Sequence, residues 1–302
     1  MADDINWELY RSFLGVLQEG SLSAAARALG STQPTIGRHV ETLEKTLKLT
    51  LFIRSQGGLL PTDSALALKP HAEAMASTAA ALARAAASQN LGVSGVVRIT
   101  ASEVVGVEVL PPIIATLRNR HPTLQIELML SNRIQDLLHR EADIAVRMIR
   151  PQQTQLIARQ VGRIALGMYA SRDYLDRHGM PTTFDDLNHH TLIGFDQPTA
   201  FIRAAAKTIP QLTREHFALR TDSDLAQLAL IRSGAGIGIC QTPLAMADAD
   251  LLAVLPGQIP LTLETWITMH ENLRQNPSCR AVFDALVSGL QHYIAPATTS
   301  EN

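Results

Sequence analysis

Residues 21–54, SLSAAARALG STQPTIGRHV ETLEKTLKLT LFIR, decide the fold of the N-terminal part of the chain. This stretch contains two helix start signals in close succession. Ser21 can cap a short helix that Gly30 ends. Thr32 can cap a second helix whose first turn contains Pro34, where a missing N–H costs nothing. The tight turn between the two predicts a helix-turn-helix.

Apolar residues recur at helical spacing in both helices and in the segment before them. The inward-facing positions are Trp7, Tyr10, Phe13, Leu14 and Leu17, then Leu22, Ala25, Ala26 and Leu29, then Ile36, Val40, Leu43 and Leu47. Spacing of three and four residues indicates amphipathic helices. We therefore predict a first helix that ends at Gly20 and packs with the other two around a common core.

The outward face of the second helix of the motif carries polar side chains suited to DNA. In a helix-turn-helix this helix enters the major groove with its N-terminal residues nearest the base edges. Gln33 and Thr35 match the donors and acceptors of base edges. Arg38 can reach a guanine or a phosphate, and His39 suits the DNA backbone. The predicted contact residues of this helix are Thr32, Gln33, Pro34, Thr35, Arg38 and His39.

A hairpin wing is predicted after the third helix. Two apolar stretches, residues 51–53 and 59–60, flank the turn at Gly57 and Gly58. Arg54 lies at the edge of this hairpin, where it can meet a phosphate. Charge alone does not identify the partner, because residues 1–62 hold six Lys or Arg and six Asp or Glu. On the motif alone, a small helical bundle with a solvated polar face is an equal interpretation.

The same stretch resembles a known family signature. The matching residues are Ala24-Ala25-Ala26-x-x-Leu29, Thr32-Gln33-Pro34 and Leu43-Glu44-x-x-Leu47-x-x-x-Leu51-Phe52-x-Arg54. In this register they resemble the N-terminal signature of the LysR family of bacterial transcription regulators. The sequence departs at Gly37, where the family often has serine, and at Lys48 and Ala65, where it usually has glycine. The change at Gly37 removes one polar contact to DNA that the resemblance implies, whereas the other two affect helix ends.

Residues 63–89 predict a long helix, because they hold twelve alanines and no glycine. Thr62 or Asp63 can cap it, and Pro70 can kink it. A heptad seam runs along it at Leu68, Ala72, Met75, Ala79, Leu82 and Ala86. Pairing with a second copy is the favoured interpretation, since a helix-turn-helix reads two half-sites only when a two-fold pair sets their spacing. A solvent-exposed spacer is the alternative. Residues 90–95 then read as a hinge.

From Val96 the chain alternates predicted strands and helices, which is typical of an α/β domain with a parallel sheet. Residues 110–122, 143–147 and 234–239 resemble landmarks of the LysR effector domain, which is built like a two-lobed periplasmic binding protein. The predicted protein is multidomain, with an α-rich winged helix-turn-helix, a linker helix and a two-lobed α/β domain. The predicted boundaries are 1–62, 63–89 and 90–302, with lobe I at 96–166 and 268–294 and lobe II at 167–267.

Ligands of open α/β folds bind at the carboxyl ends of strands and at helix N-termini. The predicted effector-binding residues at such joints are Ser102, Glu103, Ser131, Asn132, Arg147, Phe195, Thr221 and Ser223. Ser102 and the N–H groups after it can hold an anion, but the carboxylate of Glu103 would repel one. The charge of the effector is therefore not determined, and a neutral or cationic effector is an alternative to an anionic one. Arg147 is as well explained by a structural role, and Asp222 by helix capping.

The resemblance implies double-stranded DNA with an interrupted inverted repeat, a small-molecule effector, RNA polymerase and a second copy of the chain as partners. It also implies pairing of dimers into a homotetramer, and no cofactor. No run of eighteen apolar residues occurs and the chain has only two cysteines, so we expect a cytoplasmic protein without a membrane span. Peroxide sensing through Cys240 and Cys279 is disfavoured.

The sequence contains no catalytic or cofactor-binding motif that would support an enzyme. His178, His189 and His190 have no metal-ligand spacing, and the glycines at 234, 236 and 238 follow a helix, the reverse of the dinucleotide-binding order. No catalytic or metal-binding residues are predicted. An enzyme built on the α/β lobes and an effector-independent DNA-binding protein remain the alternatives to a regulator.

Overall fold

The computed structural model describes residues 5–55, 58–87, 92–132, 142–151, 156–197, 200–209 and 213–295. The described part of residues 1–87 forms one compact unit, and that of residues 92–132 and 143–295 forms a second. Within these described ranges, no helix combines the length and the apolar character needed to cross a bilayer.

The first unit begins with helices α1 (Trp7–Glu19), α2 (Leu22–Ala28) and α3 (Gln33–Leu47). Each start uses the predicted chemistry: Ser21 Oγ accepts from the N–H of Ala24 at 3.2 Å, and Thr32 Oγ1 accepts from the N–H of Thr35 at 3.4 Å. Gly20 ends α1 in the left-handed region, with φ of 70°. The three helices bury Phe13, Val16, Ala25, Ile36, Val40 and Leu43 in one core. The predicted helix-turn-helix is confirmed.

The predicted wing is an antiparallel hairpin of β1 (Phe52–Ser55) and β2 (Gly58–Pro61), in which Arg54 lies opposite Leu59. Residues 56 and 57 at its turn lie outside the described residues. The wing is attached at two points. Glu44 Oε1 accepts from the N–H groups of Leu51 at 2.6 Å and Phe52 at 3.2 Å. The N–H of Leu59 donates to the carbonyl of Gly20 at 2.9 Å.

Helix α4 (Asp63–Ala87) is capped by Thr62, whose Oγ1 accepts from the N–H of Ala65 at 3.2 Å. The predicted seam divides along its length. Leu68 and Ala72 pack against the core of their own unit. The prediction that the seam pairs with the same helix of a second copy is therefore wrong for these two residues. Met75 is 40% exposed and Leu82 68% exposed. The side chain of Ala86 lies outside the described part of the chain.

Lobe I of the second unit begins with β3 (Gly95–Ala101), a π-helical turn (Val105–Val109), α5 (Leu110–Arg120), β4 (Leu124–Leu130) and β5 (Ile144–Arg147). Strand β3 lies between β4 and β5 and is parallel to both, as predicted. The sequence predicts a helix over residues 104–120 with an interruption at Pro111 and Pro112. In the structure the helical run is not broken there: the π-helical turn leads directly into α5, whose first turn contains both prolines. The sequence also predicts a helix over residues 134–140, which lie outside the described residues.

Strand β6 (Leu156–Ser171) runs through both lobes. Residues 156–165 pair with β11 (Thr262–His270), and residues 166–171 pair with β9 (Gly238–Gln241) and β10 (Leu251–Val254). All these pairings are antiparallel, and β11 is also antiparallel to β5. The sheet is therefore mixed rather than wholly parallel, because β11 enters lobe I from lobe II. The chain returns to lobe I at Thr262, six residues before the predicted boundary of 268.

The remaining elements complete lobe II and return the chain to lobe I. In lobe II these are α6 (Arg172–His178), β7 (Leu192–Gly194), α7 (Ala200–Thr208), β8 (Phe217–Arg220), α8 (Asp224–Arg232) and α9 (Thr242–Met246). The closing helix α10 (Pro277–Ile294) packs through Val282, Leu286 and Leu290 against the core of lobe I. Lobe II has its own core, which includes Met168, Tyr174, Leu187 and Phe217.

Candidate nucleic-acid interface and inter-lobe site

The first turn of α3 presents the predicted contact residues to solvent. Burial of Ile36, Val40 and Leu43 fixes which side of α3 faces the core. As a result Thr32, Gln33, Pro34 and Arg38 are exposed, and Thr35 and His39 are partly exposed. The structure thus brings these six residues together along one stretch of α3.

Hydrogen bonds orient the polar side chains at this end of α3. Ser23 Oγ, in the first turn of α2, donates to Gln33 Oε1 at 2.9 Å. The hydroxyl groups of Thr32 and Thr35 lie 2.8 Å apart and share a hydrogen bond. Ser23 is a residue that sequence reasoning missed. Its signal was present, because the two helices of a helix-turn-helix meet at a short turn and a hydroxyl just inside α2 can reach the start of α3.

His39 is engaged within its own unit. Its Nδ1 lies 2.7 Å from the Oγ of Ser12, a buried residue of α1. This bond joins α1 to α3 and leaves Nε2 as the ring nitrogen that can face a phosphate. Ser12 is a second residue that sequence reasoning missed, since a serine on an otherwise apolar helix face does not reveal its partner 27 positions away.

Arg54 is exposed on β1 of the wing. Because Glu44 on α3 holds the backbone of Leu51 and Phe52, the position of Arg54 is tied to that of α3. A carboxylate that accepts two backbone N–H groups makes such a joint rigid. Glu44 was part of the sequence signature, but only the structure shows this contact.

The predicted effector residues partly converge where the two lobes meet. The N–H of Glu103, just after β3, donates to Asn132 Oδ1 at 3.1 Å, and Asn132 Nδ2 donates to Asp224 Oδ2 at 2.9 Å. Asp224 is the first residue of α8 in lobe II. Ser102 and Ser131 lie next to this chain of contacts, and the N–H of Ser131 donates to the carbonyl of Ala101 at 3.0 Å.

Asp224 is the residue of this site whose chemistry is most changed by its surroundings. Burial raises its pKa from 3.8 to about 6, the nearby charge of Glu103 raises the pKa further, and the hydrogen bond from Asn132 opposes the shift. The sequence predicts its neighbour Ser223 as an effector contact and not Asp224. Ser223 caps α8, because its Oγ accepts from the N–H of Ala226 at 3.3 Å.

The other predicted effector residues have roles in the fold. Thr221 Oγ1 accepts from the N–H of Ser223 at 3.2 Å, and Phe195 is partly buried just after β7. Arg147 is 5% exposed and its guanidinium donates to Thr100 Oγ1 at 2.7 Å, which favours the structural interpretation. Asp222 does not cap α8. Its Oδ1 accepts from the N–H groups of Asp196 and Gln197 at 3.1 and 2.8 Å.

A second contact joins the lobes at the other end of α8. The guanidinium of Arg232 donates to both carboxylate oxygens of Glu108 in lobe I, at 2.9 and 3.0 Å. Its Nε also donates to Asp248 of lobe II at 3.2 Å. The hydrogen bonds that Arg232 donates to Glu108 and to Asp248 raise its pKa. Between the two ends of α8, Val104 of lobe I packs against the lobe II cluster that contains Leu228 and Ile231.

The two cysteines, His178 and His190 have contacts within the fold of the second unit. Cys240 is buried in lobe II, where burial raises its pKa to about 12, and Cys279 is buried in the core of lobe I. No disulfide joins them. His178 stacks on Tyr174 with ring centroids 4.5 Å apart, and His190 Nδ1 lies 3.3 Å from the hydroxyl of Tyr174. Among the described residues, no cluster of three or more such ligands could hold a metal ion.

Comparisons with known proteins cover both units. The family described as bacterial regulatory helix-turn-helix protein, lysR family, matches residues 7–66. The family described as LysR substrate binding domain matches residues 68–291. A probable HTH-type transcriptional regulator, LtrA, of Klebsiella pneumoniae is 27% identical over 258 residues, which is 81% of each chain.

Two further matches agree. An HTH-type transcriptional regulator of Xanthomonas campestris pv. campestris is 29% identical over 190 residues, so 63% of this chain aligns with about half, 55%, of that relative. The structure of full-length CbnR in complex with its target DNA shares the fold, with a TM-score of 0.66 at 18% identity over 95% of this chain and 99% of that one. These families consist of regulators and not enzymes, and the chain belongs to the LysR-type transcriptional regulators.

Proposed function

We propose that this regulator binds double-stranded DNA with the first turn of α3 in the major groove and the hairpin wing on the DNA backbone. One observation carries the proposal. The exposed turn of α3 and Arg54 of the wing are fixed relative to each other by Glu44. Gln33 and Thr35 then face base edges, Arg38 reaches a guanine or a phosphate, and His39 and Arg54 meet phosphates. Thr32 and Pro34 start the helix at the groove.

Two copies of the chain pair through α4. Leu68 and Ala72 pack within one unit, so the pairing surface is the exposed half of the seam around Met75, Ala79 and Leu82. A two-fold pair places two α3 helices on successive major grooves, which suits an interrupted inverted repeat. Assembly of two dimers into a tetramer and contact with RNA polymerase complete the proposed regulatory complex.

A small-molecule effector binds between the lobes and controls the DNA-bound arrangement. The proposed contacts are those around the joints of β3, β4 and α8: Ser102, Glu103, Ser131, Asn132 and Asp224, with Arg147, Phe195, Thr221 and Ser223 as the other predicted residues. An anionic effector would meet the carboxylates of Glu103 and Asp224, so this geometry favours a neutral or cationic one. The effector can shift the protein only by its differential affinity for two arrangements, about 1–3 kcal/mol in allosteric proteins.

The first test is a footprint of the purified protein on the intergenic DNA beside its own gene, at physiological salt. The protected fragment then serves to measure how affinity depends on salt. Arg38→Ala and Arg54→Ala should each weaken binding and reduce the log–log slope by about 0.9 for every phosphate that is no longer neutralised, because fewer counterions are released.

Arg280→Ala is the matched control, since Arg280 is an exposed arginine on α10, outside the DNA-binding unit. It should leave both affinity and slope unchanged. If Arg38→Ala and Arg54→Ala also keep the slope of the parent protein, neither residue touches phosphate and the proposed interface is wrong. Absence of binding to every genomic fragment, with and without cell extract, would contradict the DNA-binding proposal as a whole.

A further inference from the structure

The contact between Ser23 of α2 and Gln33 of α3 lies on the exposed surface that faces outward from the helix-turn-helix. Ser23 Oγ donates to Gln33 Oε1 at 2.9 Å, and both side chains are exposed. An exposed hydrogen bond of this kind adds little to stability, because water competes for both groups. Its consequence is orientation, since in this structure Oε1 is the end of the Gln33 amide that faces Ser23.

The two ends of a glutamine amide have opposite chemistry. Oε1 accepts hydrogen bonds, whereas Nε2 carries two donors. When Oε1 is turned toward Ser23, Nε2 is the end that points outward from α2. The hydroxyl of the neighbouring Thr35 is engaged with that of Thr32, 2.8 Å away. The contribution of Gln33 itself to base discrimination therefore comes mainly from its donors.

Bases differ in what they present to such a side chain. Adenine shows an acceptor and a donor in the major groove, and a freely turning glutamine binds both with its two ends. Guanine shows two acceptors, N7 and O6, which match the two donors of Nε2. A glutamine whose Oε1 is held elsewhere therefore loses its second bond to adenine and keeps its match to guanine.

We infer that Ser23 is a positioning residue for sequence recognition: it holds the Gln33 amide so that Gln33 selects guanine over adenine at one position of each half-site. Ser23 acts through Gln33 and does not itself touch the base. The inference rests on the proposed function, because it requires the first turn of α3 to lie in the major groove.

The test is selection of bound sequences from a library of randomised duplexes by the purified full-length protein and its variants. Ser23→Ala should shift the ratio of guanine to adenine about two- to threefold toward adenine at one position of each half-site, because the shift is limited by the small net free energy of one exposed hydrogen bond. Ser23→Thr should keep the parent pattern, because its hydroxyl can make the same bond. Gln33→Ala should remove the base preference at that same position.

Ser21→Ala is the matched control on the same helix. It removes the cap of α2 and the bond from the N–H of Ala24, so it should lower the thermal midpoint by the loss of one cap and leave the base pattern unchanged. An unchanged guanine-to-adenine ratio in Ser23→Ala overturns the inference. So does an even loss of preference at all positions, which indicates a weakened fold. Failure of the parent protein to enrich any sequence would instead contradict the proposed function.

Discussion

Lys48 adopts a left-handed backbone conformation, with φ of 55°, at the end of α3. The turn satisfies the last carbonyls of the helix, because the N–H of Leu49 donates to the carbonyl of Glu44 at 3.0 Å. This conformation costs a residue with a Cβ about 1 kcal/mol, and glycine adopts it freely. The glycine that the family resemblance implies at this position would adopt the same conformation without this cost.

Replacing Lys48 with glycine should therefore stabilise the N-terminal unit by about 1 kcal/mol. Chemical denaturation followed by circular dichroism measures the change. Lys45→Gly is the opposite-sign control, because Lys45 lies inside α3, where glycine costs about 1 kcal/mol. A Lys48→Gly variant that is less stable than the parent would show that the side chain of Lys48 contributes more than its backbone costs.

Because of Asp224, we expect the free energy of unfolding of the second unit to depend on pH. Its pKa is raised in the folded state from 3.8 to about 6, so the folded state binds the proton more tightly than the unfolded one. This contribution to stability is therefore present at low pH and is lost as the pH rises through 6. Asp224→Asn should be more stable than the parent protein at pH 7.5, and the difference should vanish toward pH 4.

Asp186 lies in the same lobe, and its pKa is shifted in the opposite direction from that of Asp224. Hydrogen bonds from the backbones of Thr182 and Thr183 lower its pKa from 3.8 to about 2. Its contribution is present above pH 3.8 and is lost as the pH falls toward 2. Asp186→Asn should therefore be less stable than the parent at pH 7.5. Thermal melts from pH 4 to 8 measure both variants, and a destabilised Asp224→Asn at pH 7.5 would contradict the proposed cause of the shift.

At the scale of a single element, α4 carries apolar side chains that differ in their surroundings. Leu82 is 68% exposed on the half of the seam assigned to pairing, and Leu66 is 51% exposed. With 3.6 residues per turn, the side chains of Leu66 and Leu82 are separated by about 160° around the helix axis, so they lie on nearly opposite faces of α4. Leu82→Asp should dissociate the proposed dimer, because it places a charge in an apolar seam, whereas Leu66→Asp should leave that dimer intact. Sedimentation velocity measures both, and an unchanged dimer in Leu82→Asp would remove Leu82 from the interface.

At the scale of the second unit, α8 holds the two lobes together at both ends. Asp224 bonds to Asn132 at its start, and Arg232 bonds to Glu108 at its end. Glu108→Gln should loosen the second contact and raise amide hydrogen exchange in the segment 103–109 and in α8. The expected loss is on the order of 1 kcal/mol, because the pair is bidentate but partly exposed. Arg232 keeps Asp248, so no charge is left uncompensated.

Asp284→Asn is the control for this variant. It breaks an exposed pair with Arg280 inside α10, within lobe I. Hydrogen exchange measured by mass spectrometry should then stay at the parent level in the segment 103–109 and in α8. Equal exchange in Glu108→Gln and Asp284→Asn would show that the Glu108–Arg232 pair does not restrain the lobes.

The sequence by itself determined the local elements and the family. Capping residues such as Ser21 and Thr32 act on backbone groups two or three positions away, so their signals can be read along the chain. The same holds for the helical spacing of the core and for the strands of lobe I. These short-range rules predicted the helix-turn-helix, the wing, the long helix α4 and the α/β alternation.

Tertiary structure alone decided which distant residues meet. It paired Ser12 with His39, Ser23 with Gln33 and Asn132 with Asp224. It packed Leu68 and Ala72 of the α4 seam into their own unit. It also sent β6 through both lobes and returned β11 antiparallel to it. The physical reason is that hydrogen bonds and burial depend on distance in space, whereas periodicity and capping report only on near neighbours along the chain.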